Sequence, residues 1–209
     1  MKTLSIVAIV ILLVCSVALA DDLYPPLWRG QPGTTFQVWE FFSNANPASP
    51  DVVDNPFGNP IATIFGSFPK TRWLAVESGH QGVWLTEEWI QLDIPNTDVT
   101  DPNSFKEIWL QMTFDAGLGN TPMLYVLPDA DPYTLSPIYT QPDIGDYTYA
   151  IWSILIEPNP EFETIYILPR DCTLFVDQIV VDTRCVVIPE PSMMIMMVLG
   201  GIAFLIRRK

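Results

Sequence analysis

From Ile108 to Phe114 every second residue is apolar: Ile108, Leu110, Met112 and Phe114 alternate with Trp109, Gln111 and Thr113. Successive side chains of a strand point to opposite faces. This period of two therefore commits the stretch to a β-strand with one apolar and one mixed face. Trp89–Ile94 repeats the pattern, with Ile90, Leu92 and Ile94 on one side and Trp89, Gln91 and Asp93 on the other. Helical periodicity is absent between residues 21 and 188. The segments there are short and punctuated by Pro, Gly, Asn and Asp, which predicts an all-β sandwich or barrel. The predicted strands are Phe36–Phe42, Ile61–Phe65, Arg72–Val76, Gly82–Leu85, Trp89–Ile94, Phe105–Phe114, Met123–Leu127, Tyr147–Ile156, Glu163–Leu168 and Leu174–Val181. Asn44–Pro60 and Pro128–Pro142 each hold four spaced prolines and read as long loops, because proline cannot donate to a central ladder. Glu157-Pro158-Asn159-Pro160 reads as a tight connection between two strands.

Both ends differ from this body. Lys2 starts the chain with a positive charge, Leu4–Val14 is an apolar run broken only by Ser5, and Ala18-Leu19-Ala20 is an A-x-A cleavage signature. Together they predict a signal peptide helix over residues 1–20, removed after Ala20. Cys15 follows Val14 rather than a small residue and reads as apolar filler. At the other end, residues 189–209 begin with Pro189, Glu190 and Pro191 and finish with Arg207, Arg208 and Lys209. Met193–Ile206 between them carries no charge. As a helix it would reach about 21 Å, against a bilayer core of about 30 Å. Local thinning of the bilayer could seat it as a transmembrane helix, with the basic triplet staying cytoplasmic.

The remaining residues, 21–188, suit one domain by length and are enough for a sizeable core. They hold six Lys/Arg against 23 Asp/Glu, a net charge of −17. Such a surface repels nucleic acid and anionic lipid and favours cations, so no nucleic-acid partner is expected. The acids are dispersed among many aromatics, which argues for a folded domain. Cys172 and Cys185 remain in an oxidising compartment. The intervening residues read as one strand that would hold the two apart unless the chain doubles back after Asp182, so the pairing stays open.

Few residues point to chemistry. Trp89 and Trp109 fall on the polar faces of their strands, beside Gln91 and Gln111. If the strands are neighbours, two indoles lie side by side among hydrogen-bonding groups, which is what a sugar-binding platform needs. Covering loops or isolated exposure are the alternatives. Trp28, Trp39, Trp73, Trp84 and Trp152 are expected to pack inside. His80, the one histidine, lies in a Ser-Gly-His-Gln-Gly turn and reads as a loop residue. No nucleophile elbow, zinc-protease helix or phosphate loop occurs. Asp177 lies among apolar neighbours, as does Glu40, and each requires a cation, an arginine or backbone donors. Asp129-Ala130-Asp131 reads as a solvated loop.

The tail resembles the PEP-CTERM sorting signal, in which Pro-Glu-Pro precedes a hydrophobic helix and a basic cluster. The resemblance implies export, transient anchoring in the inner membrane, and recognition and cleavage by an exosortase near the triplet. Release to the cell surface or extracellular matrix would follow. The closing segment, Leu174-Phe175-Val176-Asp177-Gln178-Ile179, resembles the last strand of secreted jelly-roll domains, including carbohydrate-binding modules. Trp28–Phe41 is similar to the start of a secreted domain found in a set of PEP-CTERM proteins. The jelly-roll resemblance implies a structural calcium between first and last strands and nominates Glu40 and Asp177 for it, with carbonyls completing the shell. The expected protein is thus an exported β-sandwich of jelly-roll type, non-catalytic, with a polysaccharide as ligand. A secreted hydrolase such as a glycosidase, with paired carboxylates in a cleft, and a purely structural acidic matrix protein are the alternatives.

Overall fold

A computed structural model describes residues 22–96, 104–117, 120–127, 135–160 and 162–187. The expected signal peptide and C-terminal helix lie outside these residues. The strands are β1 (Thr34–Trp39), β2 (Val52–Asp54), β3 (Ile61–Ile64), β4 (Arg72–Glu77), β5 (His80–Thr86), β6 (Ile90–Pro95), β7 (Ser104–Asp115), β8 (Met123–Leu127), β9 (Tyr139–Pro142), β10 (Thr148–Ile156), β11 (Phe162–Leu168) and β12 (Leu174–Val187). All pairings are antiparallel. They build an eight-stranded sheet, β2-β1-β12-β7-β10-β9 with β5 and β4 branching from β12, and a four-stranded sheet, β3-β6-β11-β8.

The period of two explains how the sheets meet. Ile90, Leu92 and Ile94 of β6, Leu124 of β8, and Ile165 and Ile167 of β11 point inward from the smaller sheet. Ile108, Leu110, Met112 and Phe114 of β7, Trp152 of β10 and Ile179 and Val181 of β12 face them from the larger one, and all join one buried cluster. Trp39 and Trp152 are fully buried. Their indole N–H groups donate to the Ala48 carbonyl (3.2 Å) and the Leu135 carbonyl (3.1 Å), so burial leaves neither unpaired. From β6 onward the chain crosses repeatedly between sheets: β6, β8 and β11 belong to the smaller, and β7, the β9–β10 pair and β12 to the larger.

β12 is the hub. One edge pairs with β7 from Phe175 to Val187, with a bulge at Asp177. The other edge pairs with β5 at Leu174–Val176 and with β1 at Ile179–Arg184.

The structure departs from the sequence reading at several places. β2 and β9 form inside the two proline-rich stretches read as loops. Each is an edge strand, pairing only with β1 or only with β10, and an edge tolerates proline. β12 runs six residues beyond its predicted end at Val181, because Asp182 and Arg184 face outward and find ion partners instead of ending the strand. That length also separates the cysteines. From Leu174 to Cys185 the chain stays extended, and such a strand spans roughly 35 Å, far beyond disulfide reach. Both thiols are free, Cys172 exposed and Cys185 half-buried. His80 is a strand residue rather than a loop residue: it opens β5, opposite Glu77, and is buried.

Candidate functional site

The outer face of the four-stranded sheet collects the aromatic and polar positions that its alternation leaves over. The register aligns Thr63 with Gln91, Gln91 with Tyr166, and Tyr166 with Tyr125, one row across all four strands. The adjacent row runs Ile61, Asp93, Thr164 and Leu127. Just before β6, Trp89 stacks on Phe65 with ring centroids 4.7 Å apart and an interplanar angle of 21°. Gln91 Nε2 donates to both oxygens of Asp93 (3.0 and 2.8 Å), and Thr164 Oγ1 donates to Asp93 Oδ1 (2.9 Å). These contacts fix the polar groups before any ligand arrives. Trp89, Gln91, Tyr125 and Tyr166 are half-buried, and Trp89 Nε1 has no hydrogen-bond partner among the described residues. Flat rings flanked by oriented amide, carboxylate and hydroxyl groups suit a ligand with apolar C–H faces and hydroxyl edges.

Trp109 and Gln111 are not part of this face. β6 and β7 follow one another in the chain but belong to different sheets, so the side-by-side pair of tryptophans does not exist. Trp109 and Gln111 point outward from the larger sheet, and the N-terminal segment covers them. Trp109 Nε1 donates to the Tyr24 carbonyl (3.0 Å). Gln111, fully buried, donates to Asp22 Oδ1 (2.8 Å) and accepts from the Tyr24 amide (3.2 Å) and the Tyr149 hydroxyl. Arg29 anchors the segment: its Nη2 donates to Asp182 Oδ2 (2.7 Å), and the guanidinium also pairs with Asp22. Burial pushes the Asp182 carboxyl up to about 6, against the downward pull of Arg29.

Glu40 and Asp177, nominated for calcium, have different partners. Gln178 Nε2 donates to Glu40 Oε1 (2.9 Å), whereas Asp177 Oδ2 lies 2.9 Å from His80 Nδ1. Among the described residues no three His, Cys, Asp or Glu side chains gather as a metal site. His80 stacks on Tyr147 (4.0 Å between ring centroids), and its Nε2 faces the Ile144 carbonyl at 3.3 Å. Burial lowers its pKa, but Asp177, the Ile144 carbonyl and Asp143 raise it more, so the net shift is upward. Asp129 and Asp131 lie outside the described residues, as do Ala18, Ala20, the Pro-Glu-Pro triplet and the basic end.

A second cluster lies between the sheets at one end and has no counterpart among the expected site residues. Lys106 of β7 and Glu163 of β11 point inward from opposite sheets, both fully buried, with Nζ 2.8 Å from Glu163 Oε1. Apart from this contact with Lys106, neither carboxylate oxygen meets a hydrogen-bond donor among the described residues. Lys106 Nζ also donates to Asn96 Oδ1 at 2.7 Å. Asn96 Nδ2 is held by Asn159 Oδ1 (3.1 Å) and the Pro160 carbonyl (2.8 Å). Cys185 Sγ lies 3.4 Å from Asn96 Oδ1. One sequence signal existed: Lys106 and Glu163 are charged residues at inward positions of otherwise apolar alternations.

The described residues thus define an all-β domain of two facing antiparallel sheets, with one outer face covered by its own N-terminus and the other presenting aromatic and polar side chains. Residues 187–209 match the family model described as the PEP-CTERM protein-sorting motif, and the chain carries that motif directly after β12. The motif implies an exported protein, held transiently at a membrane and processed by an exosortase. No curated protein matches the chain. Among the described residues no helix is long and apolar enough to cross a membrane.

Proposed function

We propose that this protein is a non-catalytic carbohydrate-binding protein of the cell surface or extracellular matrix, built as a jelly roll. Its binding platform is the outer face of the four-stranded sheet. The repeated crossing of the chain between two facing antiparallel sheets supports the jelly-roll assignment. The observation that carries the binding reading is the row Thr63–Gln91–Tyr166–Tyr125 beside the Trp89–Phe65 stack. The net charge of −17 over residues 21–188 disfavours anionic polymers, so the ligand class is a neutral or amino polysaccharide. The one carboxylate in these rows, Asp93, is committed to Gln91 and Thr164. That favours binding over glycoside hydrolysis, which needs two carboxyls across a bond.

Pull-down on insoluble neutral polysaccharides and chitin tests the reading. Wild type binds at least one of them, and Trp89→Ala weakens that binding about tenfold, the equivalent of about 1.4 kcal/mol. Trp109→Ala, under the N-terminal segment, leaves binding unchanged. Failure of wild type to bind any of the polymers, or full binding by Trp89→Ala, overturns the platform.

A further inference from the structure

The Lys106–Asn96–Glu163 cluster combines an amine, a carboxamide and a carboxyl in a site shielded from water. Lys106 and Glu163 are fully buried, and Asn96 is only 4% exposed. Lys106 Nζ is 2.7 Å from the amide oxygen of Asn96, so the nitrogen lies against that carbonyl group. The Asn96 amide is oriented from its other end, because its NH₂ donates to Asn159 Oδ1 and the Pro160 carbonyl. Glu163 Oε1 touches the same Nζ at 2.8 Å.

We propose that Lys106 and Asn96 form an intramolecular isopeptide bond, with Glu163 as the proton-transferring catalytic residue. Taking two charges out of water is costly, which lowers the cost of the first step, the passage of one proton from the ammonium to the carboxylate. That step leaves an amine beside a carboxyl. Burial pushes the Glu163 carboxyl upward, and the Lys106 charge offsets this only in part, which is the direction the transfer needs. The amine lone pair then attacks Asn96 Cγ. A bond forms between Nζ and Cγ, and charge develops on Oδ1, near Cys185 Sγ at 3.4 Å. Glu163 gives its proton to the departing Nδ2 and takes one back from Nζ as the Cγ–Nδ2 bond breaks. Ammonia leaves, a secondary amide remains, and Glu163 ends protonated. Atoms and charge balance without oxidant or cofactor. The proximity of Nζ to the Asn96 amide, 2.7 Å from its oxygen, supplies the rate. The new bond joins the end of β6 in one sheet to β7 in the other, a covalent tie in a domain whose two thiols are unpaired.

The test is a tryptic digest of the purified, folded full-length protein, read by mass spectrometry. Trypsin cleaves after a free lysine, and Arg72, Lys106 and Arg170 are successive cleavage sites. The cross-linked chain is expected to yield one fragment spanning 73–170, lighter than its sequence by ammonia, about 17 Da. Its fragmentation is expected to join Lys106 to Asn96. Glu163→Gln keeps the size of the side chain and is expected to restore cleavage at Lys106 and full mass. Separate 73–106 and 107–170 peptides of unaltered mass from wild type overturn the proposal, whatever any variant does. A cross-link that persists in Glu163→Gln overturns the role of Glu163. Neither readout depends on polysaccharide binding.

Discussion

Asp182 has its side chain buried at the centre of the covered face and has Arg29 as its counter-charge. Removing one partner of a buried pair leaves the other uncompensated. Arg29→Ala is therefore expected to cost about 3 kcal/mol in urea denaturation, whereas Lys70→Ala, whose exposed ion pair with Glu87 is screened by solvent, is expected to leave the urea midpoint unchanged. The proposal of a structural calcium at Glu40 and Asp177 has its own test: a melting temperature that falls in EDTA supports it, and an unchanged one ends it. Residue identity alone revealed part of the platform. Trp89 and Gln91 stand out by their alternation, but Tyr125 and Tyr166 join them only through pairings between β6, β11 and β8. Those contacts lie 41 and 75 positions apart in the chain, where local spacing carries no information.

Individual strands were more legible than their partnerships. Met123–Leu127 follows from its sequence pattern because an apolar run between Pro122 and Pro128 has nowhere else to begin or end. β2 and β9 do not, because an edge strand with one paired side needs neither strong alternation nor freedom from proline. The same difference sets local stability. Central β12 is paired on both edges, whereas β2 is fully exposed and three residues long. In native-state hydrogen exchange, the amides of residues 52–54 and 139–141 are expected to exchange by local opening. Those of Ile179–Val181 are expected to exchange only on global unfolding. Equal protection in both sets would contradict the sheet order.

For the whole molecule, ionisation and folding are coupled in one direction. The folded Asp182 carboxyl is raised from 3.8 to about 6, so the folded state holds that proton more tightly than the unfolded chain does. The stability it contributes is complete below pH 3.8 and is lost as pH climbs through about 6. His80 is raised above 6.5 by Asp177 and its neighbours despite burial. Its contribution is complete below 6.5 and lost as pH rises through the folded value. Self-repulsion among surplus carboxylates also grows with pH. The melting temperature is therefore expected to be higher at pH 5 than at pH 8, and Asp177→Asn is expected to flatten the part of that decline above pH 6.5. A melting temperature that rises from pH 5 to pH 8 would refute the assignment.

β12 ends at Val187, where the sorting motif begins. Any tension transmitted through the C-terminus therefore enters the domain along its central strand, parallel to a ladder that runs from Phe175 to Val187. Tension in that direction shears many hydrogen bonds at once instead of unzipping them singly, so a tether at this end grips the sheet where it is hardest to pull apart.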